Sequence, residues 1–465
     1  MSLQIVRVLR ANNPSASRGL SEAAPPFSPR LAGGLISFAL LLAVISSAAG
    51  QPPKGPVVNP DEQKAREAFL AGKLDDALKS LQIVAKGNPS SSPPKITLSR
   101  WSLETNQGEQ ARILLEQAAI EDPSHPEMFL LNASFALREG RITDTILSCT
   151  AALAATDNAR FDADTKKRFQ RDARLGLVAA FDTRADHASA KTHLAALLEA
   201  DPKNAGLRQR LARSNFLLGR VDDAFADLQA AFKDDPTLDP PELGMAQLWT
   251  AKADFTKADA WYTKAVAAHA NSAKVHRALA GYSLDRNRLD AAKSHLAAAQ
   301  KLDPTSRDTK AIAGLLARYT KDYATATTTF EELAKDHPGD AFATANLSLV
   351  LAEAGDATGK RRAGELAEVH AKQNPRSAEA RAILAYCLFK AGRTADADKV
   401  ARTALGFGAI NPDGAYFLAR VFVEATPEEA QKLVKAACES KDGFVYRKDA
   451  EGLLAELDKK FPPKK

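Results

Sequence analysis

A proline returns every 34 residues. Pro89 and Pro123 are 34 apart, as are Pro202 and Pro236, and Pro304 and Pro338; Pro236 and Pro304 are separated by twice that period. At Asp157 and Ala270 the proline is missing but the register holds, and Pro375 follows after 37 residues. A period of this length means one supersecondary unit copied many times. The period bounds the fold more tightly than any single residue does. The chain of 465 residues is 45% apolar but only 6% aromatic, and it is rich in alanine. Alanine is the best helix former and lets helices pack closely. Alternating β-branched runs are hard to find after residue 58, so the expected class is all-α.

We number each unit so that the recurring proline is place 32. Place 20 then holds Ala77, Ala111, Thr145, Ala190, Ala224, Ala258, Ala292, Ala326, Ala363 and Ala397. Place 15 holds Gly72, Asn106, Gly140, Ala185, Gly219, Ala253, Asn287, Lys321, Gly355 and Gly392. Most of these are Gly or Asn, which tolerate the left-handed conformation that ends a helix. Place 24 is apolar: Leu81, Leu115, Cys149, Leu194, Leu228, Tyr262, Leu296 and Phe330. Helix A is therefore expected over places 1–14 and helix B over places 16–29. Asp-Pro or Asn-Pro stops helix B, because proline cannot continue a helix and forces the preceding residue to be extended. A small residue at place 20 marks the closest approach of the two helices.

This pattern resembles the tetratricopeptide repeat (TPR) family, whose unit is a 34-residue helix–turn–helix with preferred residues at fixed places. The resemblance spans roughly 58–445 and implies a right-handed superhelix, an α-solenoid of about ten degenerate repeats with a C-terminal capping helix. The departures are clear. The family's Trp at place 4 is replaced by Asp61, Lys95, Phe129, Arg174, Arg208 and Glu242, and its Gly at place 8 is mostly Ala or Ser.

Three segments break the period. Residues 155–170 add about eleven residues, expected as an extended loop or a lengthened helix. "AGDATGKRR" (354–362) adds three residues at a helix A–B turn, and "LGFGAINPDG" (405–414) adds three more. "AYFLARVFV" and "PEEAQKLVKAAC", after residue 412, look like one further degenerate pair. The expected organisation is an N-terminal signal sequence or membrane anchor at 1–49, a linker at 50–58, the repeat array at 59–445 with an irregular segment at 158–170, and a capping helix with a basic tail at 446–465. The N-terminal expectation rests on "LAGGLISFALLLAVISSAAG" (31–50), an uncharged run preceded by Arg7, Arg10, Arg18 and Arg30. Such a run suits export to a periplasm or cell envelope, or an inner-membrane anchor with the array outside the cytoplasm.

Motifs that carry chemistry are scarce. The formal charge of +6 is dispersed, and half of it lies in residues 1–49, so nucleic acid is not an expected partner. Cys149, Cys387 and Cys438 are far apart, and no CxxC or HExxH occurs, so neither a metal nor a cofactor is expected. "GDATGK" (355–360) falls one residue short of a phosphate-binding loop and has Arg361 where Ser or Thr would hold magnesium. The sequence points away from an enzyme.

In the TPR family helix A lines a concave groove through places 2, 5, 9, 12 and 13, and the groove takes an extended peptide or helix of a partner protein. The resemblance thus implies a groove containing Arg66, Arg100, Arg213, Gln247 and Tyr386 at place 9 and Arg277 at place 5. The first half is basic and the second apolar, with Leu315 and Leu349. An acidic or C-terminal carboxylate segment would suit the arginines, because guanidinium binds carboxylate bidentately. The competing expectation is that they pair with acids of neighbouring helices. The function implied is a noncatalytic interaction scaffold in a cell-envelope assembly. The alternative is a chaperone-like subunit that shields hydrophobic segments of exported proteins.

Overall fold

The structure, a computed structural model, describes residues 59–88, 91–157, 161–440 and 443–461. These residues form 23 helices and no strand. They fall into two compact units, 59–255 and 256–461. The first unit holds α1 (Pro60–Leu70), α2 (Leu74–Gly87), α3 (Pro94–Glu104), α4 (Gly108–Glu121), α5 (Pro126–Arg138), α6 (Ile142–Ala155), α7 (Ala163–Thr183), α8 (His187–Ala200), α9 (Ala205–Leu217), α10 (Val221–Asp234) and α11 (Pro241–Ala251). Beginning at the boundary, α12 (Phe255–Ala268) leads into α13 (Ala273–Asp285), α14 (Leu289–Leu302), α15 (Arg307–Tyr319), α16 (Tyr323–Asp336), α17 (Ala341–Ala354), α18 (Ala357–Gln373), α19 (Ala378–Lys390), α20 (Thr394–Leu405), α21 (Pro412–Phe422), α22 (Pro427–Glu439) and α23 (Arg447–Lys460). Along the chain these make eleven A–B pairs and a final helix, with the pair after residue 412 counted among them. The N-terminal run 31–50 lies outside the described residues.

Nine of the eleven helix A stops share one construction. At Gly219 (φ +80) the Arg220 N–H donates to the Asn215 carbonyl at 2.8 Å, the six-to-one bond of a Schellman cap. The same bond recurs from Lys73, Gln107, Arg141, Asp186, Asp254, Arg288, Asp322 and Arg393. Ala185, Ala253 and Lys321 adopt the left-handed turn without being Gly or Asn, at φ +58, +57 and +60. For such residues that conformation costs about 1–2 kcal/mol. An Ala185→Gly variant is therefore expected to gain about 1 kcal/mol, after its extra unfolded-state entropy is subtracted. The midpoint of urea unfolding checks this.

Gly355 does not end its helix in this way. Its φ is −70, and the three added residues lengthen α18 to 17 residues instead of widening the turn. Asp356 is the cause: its Oδ1 accepts the Gly359 N–H at 2.8 Å, so helix B starts at once. The longer insertion, 155–170, likewise ends in helix. Asp162 caps α7 through the Thr165 N–H at 2.8 Å, and α7 runs for 21 residues. At the other stops, Asp235 before Pro236 is extended (φ −138, ψ 93), as proline requires.

Place 20 is buried in every unit, at 1% exposure or less. The exception in type, Thr145, turns its Oγ1 back onto the Arg141 carbonyl at 3.1 Å and so leaves no polar group unsatisfied. The missing Trp of place 4 has a physical replacement in three units. Lys95 pairs with Glu121 (2.7 Å), Arg208 with Asp234 (3.5 Å) and Lys310 with Asp336 (3.5 Å). Each pair joins the first turn of helix A to the last turn of helix B within one repeat, and the positive partner reaches the end of helix B that carries negative partial charge.

Candidate functional site

The six residues expected to line a groove are divided between the two units. Four lie in the first unit and two in the second. Arg66 pairs with Glu104 at 2.9 Å and stacks over the Trp101 ring at 4.8 Å. Arg100 donates to Glu127 at 2.5 Å. Arg277 donates to Asp303 at 3.1 Å. Gln247 is exposed and donates to Asp239 at 3.0 Å. Arg213 is exposed on α9. Tyr386 is buried, and its hydroxyl donates to Glu353, so it belongs to the core and is not offered to solvent. Two arginines of place 9 thus bridge successive helix A elements: Arg66 joins α1 to α3, and Arg100 joins α3 to α5.

Around Arg100 the first unit forms a pocket with charged groups set among apolar walls, which no repeat pattern predicts. The lengthened start of α7 brings Arg168 to the same space, which Glu127, Ser134, Cys149 and Asp172 also line. Arg100 and Arg168 also line an adjoining depression, with Glu62, Asp162, Asp164, Ser92, Thr97 and Thr165. The extra turns of α7 are held by a three-ring cluster. His125 lies 5.3 Å from Phe161 and 5.7 Å from Phe169, edge to face, and the two phenylalanines are 5.3 Å apart.

Glu127 is the electrostatic centre of the pocket. Burial pushes its carboxyl up, but Arg100, Ser92, Arg168 and His125 together outweigh burial and hold it below the usual carboxylate value. Ser92 Oγ donates to its second oxygen. Both carboxylate oxygens therefore already have partners. Asp172 is pushed up, chiefly by burial, against Arg171, which donates to it at 2.9 Å. Arg168 is exposed and lies over the Phe169 ring at 4.8 Å, with no ion pair among the described residues. In this pocket three guanidinium groups face two carboxylates, and in the adjoining depression Arg100 and Arg168 meet Glu62, Asp162 and Asp164. The Cys149 thiol is pushed up to about 12 by burial, so it is not a nucleophile at neutral pH. Among the described residues no group of three His, Cys, Asp or Glu could hold a metal ion.

Sequence reasoning placed Arg100 here but missed Arg168, Glu127 and Asp172. The available signal was the irregular segment 155–170. An insertion that continues as helix must cover some surface, and this one covers the start of α5.

The fold defines a class: a helix-pair repeat protein with Schellman-capped A helices and a small residue at each A–B contact. Residues 175–239 match the model of the tetratricopeptide repeat family. The pairs on either side repeat the same helix stops, so the all-α repeat architecture of the matched segment continues along the described residues. TPR-type repeats form protein–protein interaction scaffolds. No curated protein matches the sequence. Among solved structures, yeast Tom70 is similar at 14% identity, with 86% of this chain and 95% of that one covered and a TM-score of 0.38. A TPR protein from Parabacteroides merdae is similar at 14% identity over 62% of this chain and 98% of that one, with a TM-score of 0.33. A thermophilic TPR protein from Thermus thermophilus is similar at 18% identity over 40% of this chain and 98% of that one, with a TM-score of 0.34.

Proposed function

We propose that this protein is a noncatalytic scaffold whose first unit captures an extended, carboxylate-bearing segment of a partner protein in the pocket around Arg100 and Arg168. The observation that carries this reading is the exposed Arg168 guanidinium in the pocket lining. Glu127 is already satisfied by Arg100 and Ser92, which leaves the Arg168 guanidinium beside them to meet a partner carboxylate. Hydrogen bonds to charged groups contribute about 1.5–3 kcal/mol each, enough to select an acidic peptide over a neutral one.

Work in a cell envelope is part of the proposal. Its support is the apolar run 31–49 and the arginines before it. No helix of the described residues is long and apolar enough to cross a membrane, so any membrane association would come from that run. Fractionating cells that express the full chain tests this: recovery in the cytosol with residues 1–49 intact would refute it.

The binding claim is tested with fluorescein-labelled decapeptides of graded charge. Acidic peptides should bind and neutral ones should not. Arg168→Glu should weaken acidic binding tenfold or more, with helix content unchanged. Equal affinity across the series, or an Arg168→Glu variant that binds as wild type, would refute the assignment.

A further inference from the structure

In the second unit the surface that corresponds to a peptide groove is already filled, and the chain fills it itself. Four residues between α22 and α23, Gly443 to Tyr446, lie against four different helix A elements. Gly443 meets the end of α13 so closely that a Cβ there would overlap the Asp285 carbonyl oxygen. Tyr446 is buried at 4% exposure. Its ring stacks on Tyr416 of α21 at 5.1 Å, meets Phe417 edge-on at 5.2 Å and lies 6.3 Å from Tyr386 of α19. Arg318 of α15 caps that ring at 5.5 Å and is itself buried, donating to Asn346 of α17 at 2.5 Å. A stretch of four residues reaches α13, α15, α19 and α21 only if their inner faces converge on it.

Two further contacts hold the segment in place. Lys321, at the α15–α16 turn, pairs with Asp449 of α23 at 3.1 Å across 128 residues of sequence. Arg447 lies over the Phe444 ring at 5.0 Å and donates to the carbonyls of Cys438 and Ser440 at 3.1 and 2.8 Å. Phe444 is buried at 1% exposure. The segment is a turn that runs into α23, with the Arg447 N–H donating to the Phe444 carbonyl, and it contacts the surface as a peptide ligand would: two aromatic anchors at alternate positions, a glycine where backbone meets backbone, and a flanking ion pair.

We propose that Gly443–Tyr446 is a resident ligand that closes the helix A surface of the second unit, and that the surface selects peptides that turn at an aromatic–any–tyrosine pattern and carry an acid one helical turn later. A partner carrying that pattern competes with the chain's own segment, so binding there is autoinhibited in the full chain. This surface is separate from the pocket of the first unit, and its test does not depend on that pocket.

The probe is a fluorescein-labelled peptide of residues 440–450, offered to the full-length chain. Wild type should bind it weakly, because the site is taken. Gly443→Val, which cannot fit against Asp285, should bind it at least tenfold more tightly. Asp449→Arg, which places like charges at Lys321 on an accessible edge, should do so while the repeats stay folded. A peptide with alanine at the positions of Phe444 and Tyr446 should bind none of them. If Gly443→Val loses helix content, Asp449→Arg decides the matter. Failure of Asp449→Arg to take up the peptide, or wild-type binding as tight as the variants', overturns the proposal.

Discussion

Arg100→Ala will destabilise the first unit by about 3–5 kcal/mol at neutral pH, the range found when one partner of a buried ion pair is removed. The loss will shrink as pH falls. Glu127 is buried at 6% exposure, and Arg100 is the strongest of the groups that keep it ionised. In wild type the folded pKa lies below the unfolded value, so the stabilisation is present above that unfolded value and is lost as pH falls through the folded one. Without Arg100 the strongest of the groups opposing burial is gone, and the folded pKa rises. The variant then suffers its full deficit at pH 7, and it recovers as acid neutralises a carboxyl that has lost its counter-ion. Urea unfolding at pH 7 and pH 4 measures the difference. Arg100→Ala combined with Glu127→Gln should restore much of the loss at pH 7. A deficit equal at both pH values would show that Arg100 acts by packing alone.

Ala224→Leu is expected to cost about 2–3 kcal/mol, the upper part of the range for overpacking a closed core. Ala224 has no exposed surface and sits at place 20, where α10 crosses α9. Three added carbons would have to separate the helices or push side chains off their rotamers. The control is Ala226→Leu on the exposed face of the same helix, expected within about 0.5 kcal/mol of wild type. Thermal unfolding of the two variants side by side checks the pair. A large loss in both would mean that α10 dislikes leucine for reasons unrelated to place 20.

Much of the fold was legible because it is local. Alanine at place 20, an apolar residue at place 24 and proline at place 32 act within one 34-residue unit, and each was buried or extended as expected. Place 15 shows where residue type misleads. The Schellman geometry is set by the helix ending on either side, so Ala185, Ala253 and Lys321 accept it, whereas Gly355 avoids it because Asp356 starts the next helix first. The candidate site was less legible. Place 9 put Arg66 and Arg100 on helix A, but their acids, Glu104 and Glu127, come from the next repeat. The Lys95–Glu121, Arg208–Asp234 and Lys310–Asp336 pairs looked like mere departures from the family's Trp until helix B ended beside helix A.

The sequence by itself determined the repeat, its helix pairs, their stops and the small contact between them, because those depend on backbone conformation and on neighbours within one unit. Tertiary structure alone decided what occupies the inner surfaces. It brought α7's extra turns and Arg168 to Arg100 in one unit, and carried Gly443 and Tyr446 back to helices up to 158 residues earlier in the other. Such contacts depend on how successive repeats converge in space, and no periodicity in the chain encodes which distant segment will fill the space between them.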